Sequence, residues 1–170
     1  VDRTDFIEKC IKCERETGTA GGGMDQTISV LGKKGNALYI EFDPIKSTDV
    51  KLPPGFCFVV ANSLTPSPKL LTLGTRYNKR AVECRLALNL LKKKLDLSGK
   101  NELGNFKKLQ DFLGYSFKDM LGLVDQHIKQ KPFSHKDLEE IFGGPVIEQL
   151  SDMPNAKLVL ESNSEFFLYL

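Results

Sequence analysis

The sequence predicts an α+β fold, with strands in its first third and helices in its carboxyl-terminal half. Two apolar runs, at residues 37–42 and 56–61, have the aromatic and β-branched composition of strands. From residue 77 to about residue 95, apolar side chains recur at helical spacing, and shorter helical patterns follow. Strands that come before a series of helices are typical of an α+β architecture.

The chain opens with a predicted helix over residues 2–16, because apolar side chains recur there at three- and four-residue spacing. Asp2 or Thr4 can cap its start. The glycines at positions 21–23 lie beyond its end. Residues 27–31 are apolar enough to begin a short helix or a strand.

Strand composition dominates the next part of the chain. The first strand is predicted at residues 37–42, and a loop then runs to Pro53 and Pro54. The continuous apolar run at residues 56–61 is typical of a buried central strand. Residues 62–75 are rich in Ser, Thr and Pro, so they predict a loop at the end of that strand.

The rest of the chain is predicted to be helical. The longest helix covers residues 77–95, and four shorter helices are expected over residues 104–113, 116–129, 134–142 and 145–152. Ser116 with Asp119, and Ser134 with Asp137, resemble capping boxes in which aspartate replaces glutamate.

Composition limits the kinds of partner. The 170 residues carry a formal charge of +2, with 41% hydrophobic and 27% charged residues. This balance is ordinary for a globular domain and does not favour nucleic acid or a membrane surface as the main partner. No apolar run reaches the roughly 20 residues of a membrane-spanning helix. We expect a cytoplasmic protein.

Four cysteines are present, and only Cys10 and Cys13 have a suggestive spacing. No second close pair completes a zinc site, so we expect reduced and mostly packed thiols and no metal ligands.

The glycine run at positions 21–23 is followed at once by Met-Asp-Gln. Three consecutive glycines are costly to order, so a structured loop that presents Asp25 is a better interpretation than a linker. Composition alone leaves three roles open for Asp25: a cap for the next helix, a metal ligand, or a base toward a hydroxyl. The run fits neither the P-loop nor the dinucleotide-binding pattern.

Residues 14–26, Glu-Arg-Glu-Thr-Gly-Thr-Ala-Gly-Gly-Gly-Met-Asp-Gln, resemble the Gly-Met-Asp-Gln segment of eukaryotic galactokinases and N-acetylgalactosamine kinases, in the GHMP kinase superfamily. The likeness continues in order at residues 37–42, at 58–63 and at 77–87. Four ordered blocks are far more specific than any one of them. Beyond residue 100 the resemblance is limited to helical character and a closing Leu-Tyr-Leu.

The resemblance implies phosphoryl transfer from ATP, with Mg²⁺, to the anomeric hydroxyl of a galactose-like sugar. It puts Asp25 at the family's proton acceptor, Gly22 and Gly23 at its sugar loop, and Tyr77 at a sugar-contacting tyrosine. Lys69 matches a lysine near the nucleotide in some members. From the residues alone, Tyr77 could equally be an amphipathic residue at a helix start, and Lys69 a solvated loop lysine.

The resemblance also implies a two-domain α+β fold with the site between the domains. Residues 1–53 would be the tail of the amino-terminal kinase domain with the catalytic loop, and residues 54–170 the first part of the carboxyl-terminal domain. The family's Arg-x-Asn-Leu-Ile-Gly-Glu-His, serine-rich phosphate-loop and late glycine-tryptophan motifs do not occur. We therefore expect an internal piece that is inactive alone and whose main ATP and Mg²⁺ ligands lie elsewhere.

One alternative is a non-enzymatic regulator of the same family that binds galactose and ATP, because such relatives keep Met-Asp-Gln. The sugar is also open: the triple glycine is similar to the N-acetylgalactosamine branch, while Tyr77 favours galactose, which we predict. We expect a monomer, and neither nucleic acid nor a membrane as a direct partner.

Overall fold

The computed structural model describes residues 2–42, 44–66 and 68–169, and leaves aside the side chains of Lys69 and Leu70. The chain forms two compact units, residues 1–71 and 72–170. The domain division near Pro53 and Pro54 stays a prediction, because compact units of this chain need not coincide with domains of the family. Within the described residues, no helix combines the length and apolar character that crossing a membrane requires.

The first unit contains two helices and a hairpin: α1 (Arg3–Glu16), α2 (Met24–Leu31), β1 (Asn36–Phe42) and β2 (Ile45–Lys51). Helix α1 confirms the prediction, and the Asp2 carboxylate caps it by accepting from the Thr4 N–H at 3.4 Å. Residues 27–31 are helical, so the strand alternative was wrong there.

The hairpin contradicts the predicted loop between the first strand and Pro53. Strands β1 and β2 pair antiparallel, from Asn36 opposite Lys51 to Phe42 opposite Ile45. Strand β2 was missed because its sequence, Ile-Lys-Ser-Thr-Asp-Val-Lys, has little apolar alternation and is almost wholly exposed. Pairing of its backbone with β1, and not a buried face, makes it a strand.

The predicted buried central strand at residues 56–61 is wrong for this chain. These residues form no regular secondary structure, and Val59 and Val60 are 92% and 93% exposed. A strand needs a neighbour that pairs its N–H and C=O groups. Among the described residues, only β1 with β2 and β3 with β4 supply such pairs.

A 3₁₀ turn at Lys69–Thr72 spans the division between the units, and a π-helical turn at Leu73–Tyr77 follows it in the second unit. They correct the prediction of a loop through residue 75. Helix α3 (Asn78–Lys94) follows and confirms the longest predicted helix. The remaining elements are α4 (Phe106–Leu113), α5 (Phe117–His127), β3 (Phe133–Ser134), α6 (His135–Phe142), a 3₁₀ helix (Val146–Leu150), α7 (Ala156–Glu161) and β4 (Glu165–Phe166).

Both predicted capping boxes are present. The Ser116 hydroxyl accepts from the Asp119 N–H at 3.3 Å, and the Asp119 carboxylate accepts from the Ser116 N–H at 2.9 Å. Ser134 and Asp137 repeat this exchange at the start of α6. The last predicted helix is a 3₁₀ helix, and α7, β3 and β4 were missed because they are only two to six residues long.

The apolar core of the second unit lies around α3. Val82, Leu86 and Leu91 of that helix are completely buried, and Leu138 and Phe166 from later elements pack into the same cluster. Each fully buried side chain of this kind contributes roughly 2 kcal/mol relative to an exposed one. Packing thus fixes α3 and, with it, the turn that carries Tyr77.

Candidate functional site

The glycine loop is anchored to the end of α1. The Arg15 guanidinium donates from Nε and Nη2 to the Gly21 carbonyl oxygen, at 3.2 and 3.1 Å. The Glu14 carboxylate accepts from the side-chain amide of Gln26 in α2. Two adjacent residues of one helix therefore hold both sides of the loop, which favours an ordered conformation over a flexible linker.

Gly23 gives the loop its shape. It has φ of +100°, in the left-handed region that favours glycine, and it is the N-cap of α2. A Cβ atom there would lie 2.2 Å from Cδ1 of Ile11, a buried residue of α1. Gly23 thus lets α2 begin directly against α1.

Gly22 lies in a different environment. A Cβ atom added there would meet no heavy atom within 4 Å. The main chain at Gly22 is therefore open to the approach of a ligand, while Gly23 is closed by packing.

Asp25 lies in the first turn of α2 and is exposed. Since Gly23 occupies the N-cap position and no side chain caps the helix, the capping role considered for Asp25 is wrong. Its main-chain carbonyl accepts from the Ser29 hydroxyl at 2.7 Å, whereas its carboxylate has no polar partner among the described residues. The positive end of the helix dipole favours a charged carboxylate at this position.

Among the described residues, no group of three or more His, Cys, Asp or Glu side chains could hold a metal ion. A single exposed carboxylate beside an open glycine can accept a hydrogen bond from a hydroxyl group, which is the geometry that a general base needs.

Tyr77 belongs to the second unit, where it ends the π-helical turn and immediately precedes α3. The turn packs tightly on α7, because a Cβ atom at Gly74 would lie 3.0 Å from both Leu158 and Ser162. The side-chain amide of Asn163 donates to the Gly74 carbonyl oxygen at 2.9 Å. Tyr77, which is 39% exposed, is therefore presented by a firmly held segment.

The structure brings Gly22 and Gly23 of the loop next to Asp25 in the first turn of α2, all within the first unit, and puts Tyr77 in the second. Lys69 begins the 3₁₀ turn, and its side chain lies outside the described residues. Sequence reasoning missed Arg15 and Glu14 as the anchors of the loop. Their opposite charges next to a glycine run were the signal that could have identified them.

Glu83 on α3 is fully buried. Its Oε1 accepts from the Phe167 N–H at 2.8 Å, and its Oε2 lies 2.7 Å from Nη1 of Arg80 without hydrogen-bond alignment. Arg85 forms an ion pair with Asp152, at 2.8 Å. These contacts join α3 to distant parts of the second unit.

The cysteines are free thiols, as expected, but Cys13, Cys57 and Cys84 are exposed and not packed. Although Cys84 as a whole residue is exposed, partial desolvation of its thiol, followed by the neighbouring Glu83 carboxylate, raises the pKa of that thiol, and Arg80 partly opposes this rise. Cys84 is therefore a poor nucleophile near neutral pH.

Curated relatives resemble most of this chain. A galactokinase of Dictyostelium discoideum is 39% identical over 132 residues, which cover 77% of the chain and 26% of the relative. A galactokinase of Saccharomyces cerevisiae is 40% identical over 122 residues, covering 66% and 23%. One from Schizosaccharomyces pombe is 29% identical over 144 residues, covering 82% and 27%. No protein-family model matches the chain.

The chain spans about a quarter of the length of these relatives. The similarity covers most of the chain and recurs among galactokinases of fungi, of a slime mould and of Lactobacillus helveticus. By its sequence, this chain is similar to galactokinases over most of its length, as a stretch about a quarter as long as those relatives.

Proposed function

We propose that the protein containing this chain is a sugar kinase that transfers a phosphoryl group from ATP to the anomeric hydroxyl of galactose. The observation that carries the proposal is the exposed carboxylate of Asp25, without a polar partner among the described residues, in a chain similar to galactokinases. Asp25 accepts the proton of the attacking hydroxyl.

Beyond the carboxylate of Asp25, the proposed chemistry requires only that the loop hold this residue in position. A sugar hydroxyl is a weak nucleophile, and a carboxylate about 3 Å away can orient it and take its proton. Phosphoryl transfer otherwise depends on positioning and on neutralising the charge of the transferred group. Arg15 and Glu14 act through the backbone of the loop, by holding it where Asp25 can face the sugar.

The other candidate site residues differ in their surroundings and therefore in the contact that each can make with a ligand. The open main chain at Gly22 supports a close approach of the sugar ring, and the tightly held turn at Tyr77 supports a ring or hydroxyl contact. Gly23, which is buried against Ile11, can reach the sugar only through its main chain. We keep Lys69 as a nucleotide contact on the resemblance alone.

Mg²⁺ would supply neutralisation of the phosphate charge. In this proposal, the ligands of Mg²⁺ and most contacts to ATP come from outside this chain, which spans about a quarter of the relatives' length. The residues of this chain then contribute the sugar side of the site. A cytoplasmic monomer is the simplest setting for this activity.

The test of Asp25 is the Asp25→Asn variant of the full-length protein. Turnover of galactose should fall by about 10²–10⁴-fold, while galactose binding persists, because the base is lost and the shape is kept. The matched control is Asp5→Asn, which changes another exposed aspartate in the first turn of a helix. Turnover of Asp25→Asn equal to that of the control would remove Asp25 from the mechanism.

The same measurements separate a kinase from a galactose-binding regulator. The kinase requires ATP-dependent formation of sugar phosphate by the unmodified full-length protein. Binding of galactose and ATP without any turnover would support the regulator instead. The 170-residue chain alone should show no turnover, since it lacks the phosphate-handling motifs. Measurable turnover would contradict the proposal that the groups contacting phosphate lie outside this chain.

Substrate choice is tested by comparing kcat/KM of the full-length protein for galactose and N-acetylgalactosamine. We expect galactose to have the higher value. A preference for the acetamido sugar would refute our choice of substrate and leave the role of Asp25 intact.

A further inference from the structure

Asn163, which follows α7, forms hydrogen bonds to two separate elements of the second unit. Its side-chain amide nitrogen donates to the Gly74 carbonyl oxygen at 2.9 Å and to the Val159 carbonyl oxygen at 2.7 Å. Gly74 lies in the π-helical turn that ends at Tyr77, and Val159 lies in α7. One amide group therefore joins the turn before Tyr77 to the neighbouring helix.

The amide of Asn163 can make these two bonds in only one orientation. Both partners are carbonyl oxygens, which accept hydrogen bonds and do not donate them. The amide nitrogen must face them, because the amide oxygen in its place would bring three acceptors together without a donor. A carboxylate of the same shape therefore cannot replace the amide.

Asn163 is itself held through its main chain. Nε2 of His135, at the start of α6, lies 2.8 Å from the Asn163 carbonyl oxygen. Because a carbonyl oxygen only accepts, the ring nitrogen is the donor of this bond. The His135 ring packs edge-on against Phe166, which is completely buried in the core of the unit. The packed core thus holds Asn163, and Asn163 holds the turn.

The turn departs from ordinary helical geometry and approaches α7 closely. The Asn78 N–H donates to the Leu73 carbonyl oxygen, and this i→i+5 spacing is rare and frequent at functional sites. A Cβ atom at Gly74 would lie 3.0 Å from Cγ of Leu158 and from Oγ of Ser162. The missing side chain at Gly74 therefore lets its carbonyl oxygen come within reach of an amide beyond the end of α7.

We propose that Asn163 is a positioning residue for galactose, because its amide fixes the turn that presents Tyr77 to the sugar. This role depends on the proposed function, in which Tyr77 contacts galactose. Asn163 acts through the main chain of the turn and does not touch the sugar. Its loss should therefore weaken sugar binding and leave proton transfer to Asp25 intact.

The experiment measures the Kd of galactose for the full-length protein by isothermal calorimetry without ATP, and then kcat with ATP. Asn163→Asp keeps the shape of the side chain and removes both donors. It should weaken galactose binding about tenfold, which corresponds to the loss of about one hydrogen bond at Tyr77. The value of kcat should stay nearly unchanged, because the contact is lost equally from the bound sugar and from the transition state.

Asn89→Asp is the matched control. Asn89 is also a half-buried asparagine of the second unit, and its amide donates to the Gln149 carbonyl oxygen at 3.0 Å. That bond ties α3 to the 3₁₀ helix and not to the turn before Tyr77. The control variant thus adds the same charge and breaks a bond of the same kind, but galactose binding should be unchanged.

A double-variant cycle shows whether Asn163 acts through the tyrosine. If it does, Asn163→Asp should cause no further loss of binding in the Tyr77→Ala background. Gly74→Ala gives an independent route to the same result, because its Cβ atom pushes the turn away from α7 and leaves Asn163 unchanged. If Asn163→Asp fails to fold by circular dichroism, Gly74→Ala decides in the same cycle.

Weaker binding in Asn163→Asp, with the control unchanged and no added loss in the Tyr77→Ala background, supports the proposal. Binding as tight as that of the unmodified protein, or an equal loss with and without Tyr77, overturns it even if Asp25→Asn confirms the kinase. Absence of galactose binding by the unmodified protein would instead refute the proposed function, and the role of Asn163 with it.

Discussion

The two units of this chain are held together in different ways. In the second unit, side chains from α3 to the last strand, including Leu86, Leu138 and Phe166, share one continuous buried cluster. In the first unit, the apolar residues that are buried among those described are Ile7 and Ile11 of α1. Hydrogen bonds of Arg15 and Glu14 hold its loop in place.

The difference indicates where stability and where chemistry reside. A packed cluster stabilises the second unit and fixes the turn that presents Tyr77. The first unit keeps Asp25 exposed and Gly22 open, at the cost of a smaller core. We therefore expect substitutions in the second unit to change stability more, and those in the glycine loop to change activity more.

The largest expected effect on stability is at Leu138. Leu138→Ala should lower the free energy of unfolding by about 3–5 kcal/mol, because Leu138 is fully buried and leaves a cavity. Val59→Ala, at a residue 92% exposed in the first unit, should change it by less than about 0.5 kcal/mol. Urea unfolding of the 170-residue chain, followed by circular dichroism, measures both. Equal losses would mean that the two units are packed alike.

The buried Glu83 gives the next effect. Arg80→Met should destabilise the chain by about 2–3 kcal/mol, because the buried Glu83 carboxylate loses its nearest cation and keeps only the Lys79 ammonium, 3.9 Å from Oε1. Adding Glu83→Gln to this variant should recover part of the loss, since the buried charge disappears. Lys136→Met, which breaks the exposed pair with Glu140, should cost less than about 0.5 kcal/mol. A double variant less stable than Arg80→Met would contradict this account.

A smaller loss is expected in the glycine loop of the first unit. Gly23→Ala should cost about 2 kcal/mol, because its φ of +100° and its contact with Ile11 both exclude a Cβ atom. Gly22→Ala should leave stability nearly unchanged, since the space around it is open. In the full-length protein, Gly22→Ala should weaken galactose binding. The prediction fails if the two alanine variants unfold at the same urea concentration.

The smallest effect concerns pH and the two capping boxes. Hydrogen bonds from Ser116 lower the pKa of Asp119, and those from Ser134, with help from Lys129, lower the pKa of Asp137. A carboxyl whose pKa is lower in the folded state stabilises the fold above its unfolded pKa, and this stabilisation is lost as pH falls through the folded value.

The variant Asp119→Asn with Asp137→Asn should therefore be less stable than the unmodified chain near neutral pH. The difference should shrink as the pH of the urea titrations approaches about 3. A difference that is constant across this range would show that the two carboxylates do not carry the pH dependence.

Local patterns predicted the elements whose signals are local. The apolar spacing of α1 and α3 and the Ser-x-x-Asp capping boxes were confirmed. Strand β2 and the exposed run at residues 56–61 were not predicted correctly. A strand forms only where a neighbouring strand pairs with its backbone, and its own sequence does not identify that neighbour. The same limit applies to Arg15, whose role depends on where the chain brings Gly21.

By itself, the sequence determined the glycine loop with Asp25, the helical second half and the similarity to galactokinases. Each of these features can be recognised from residues that are close together in the sequence. The tertiary structure alone decided that Gly23, and not Asp25, is the N-cap of α2 and that Glu83 is buried. These depend on contacts between distant residues, because packing determines which polar groups leave water and which remain available to a ligand.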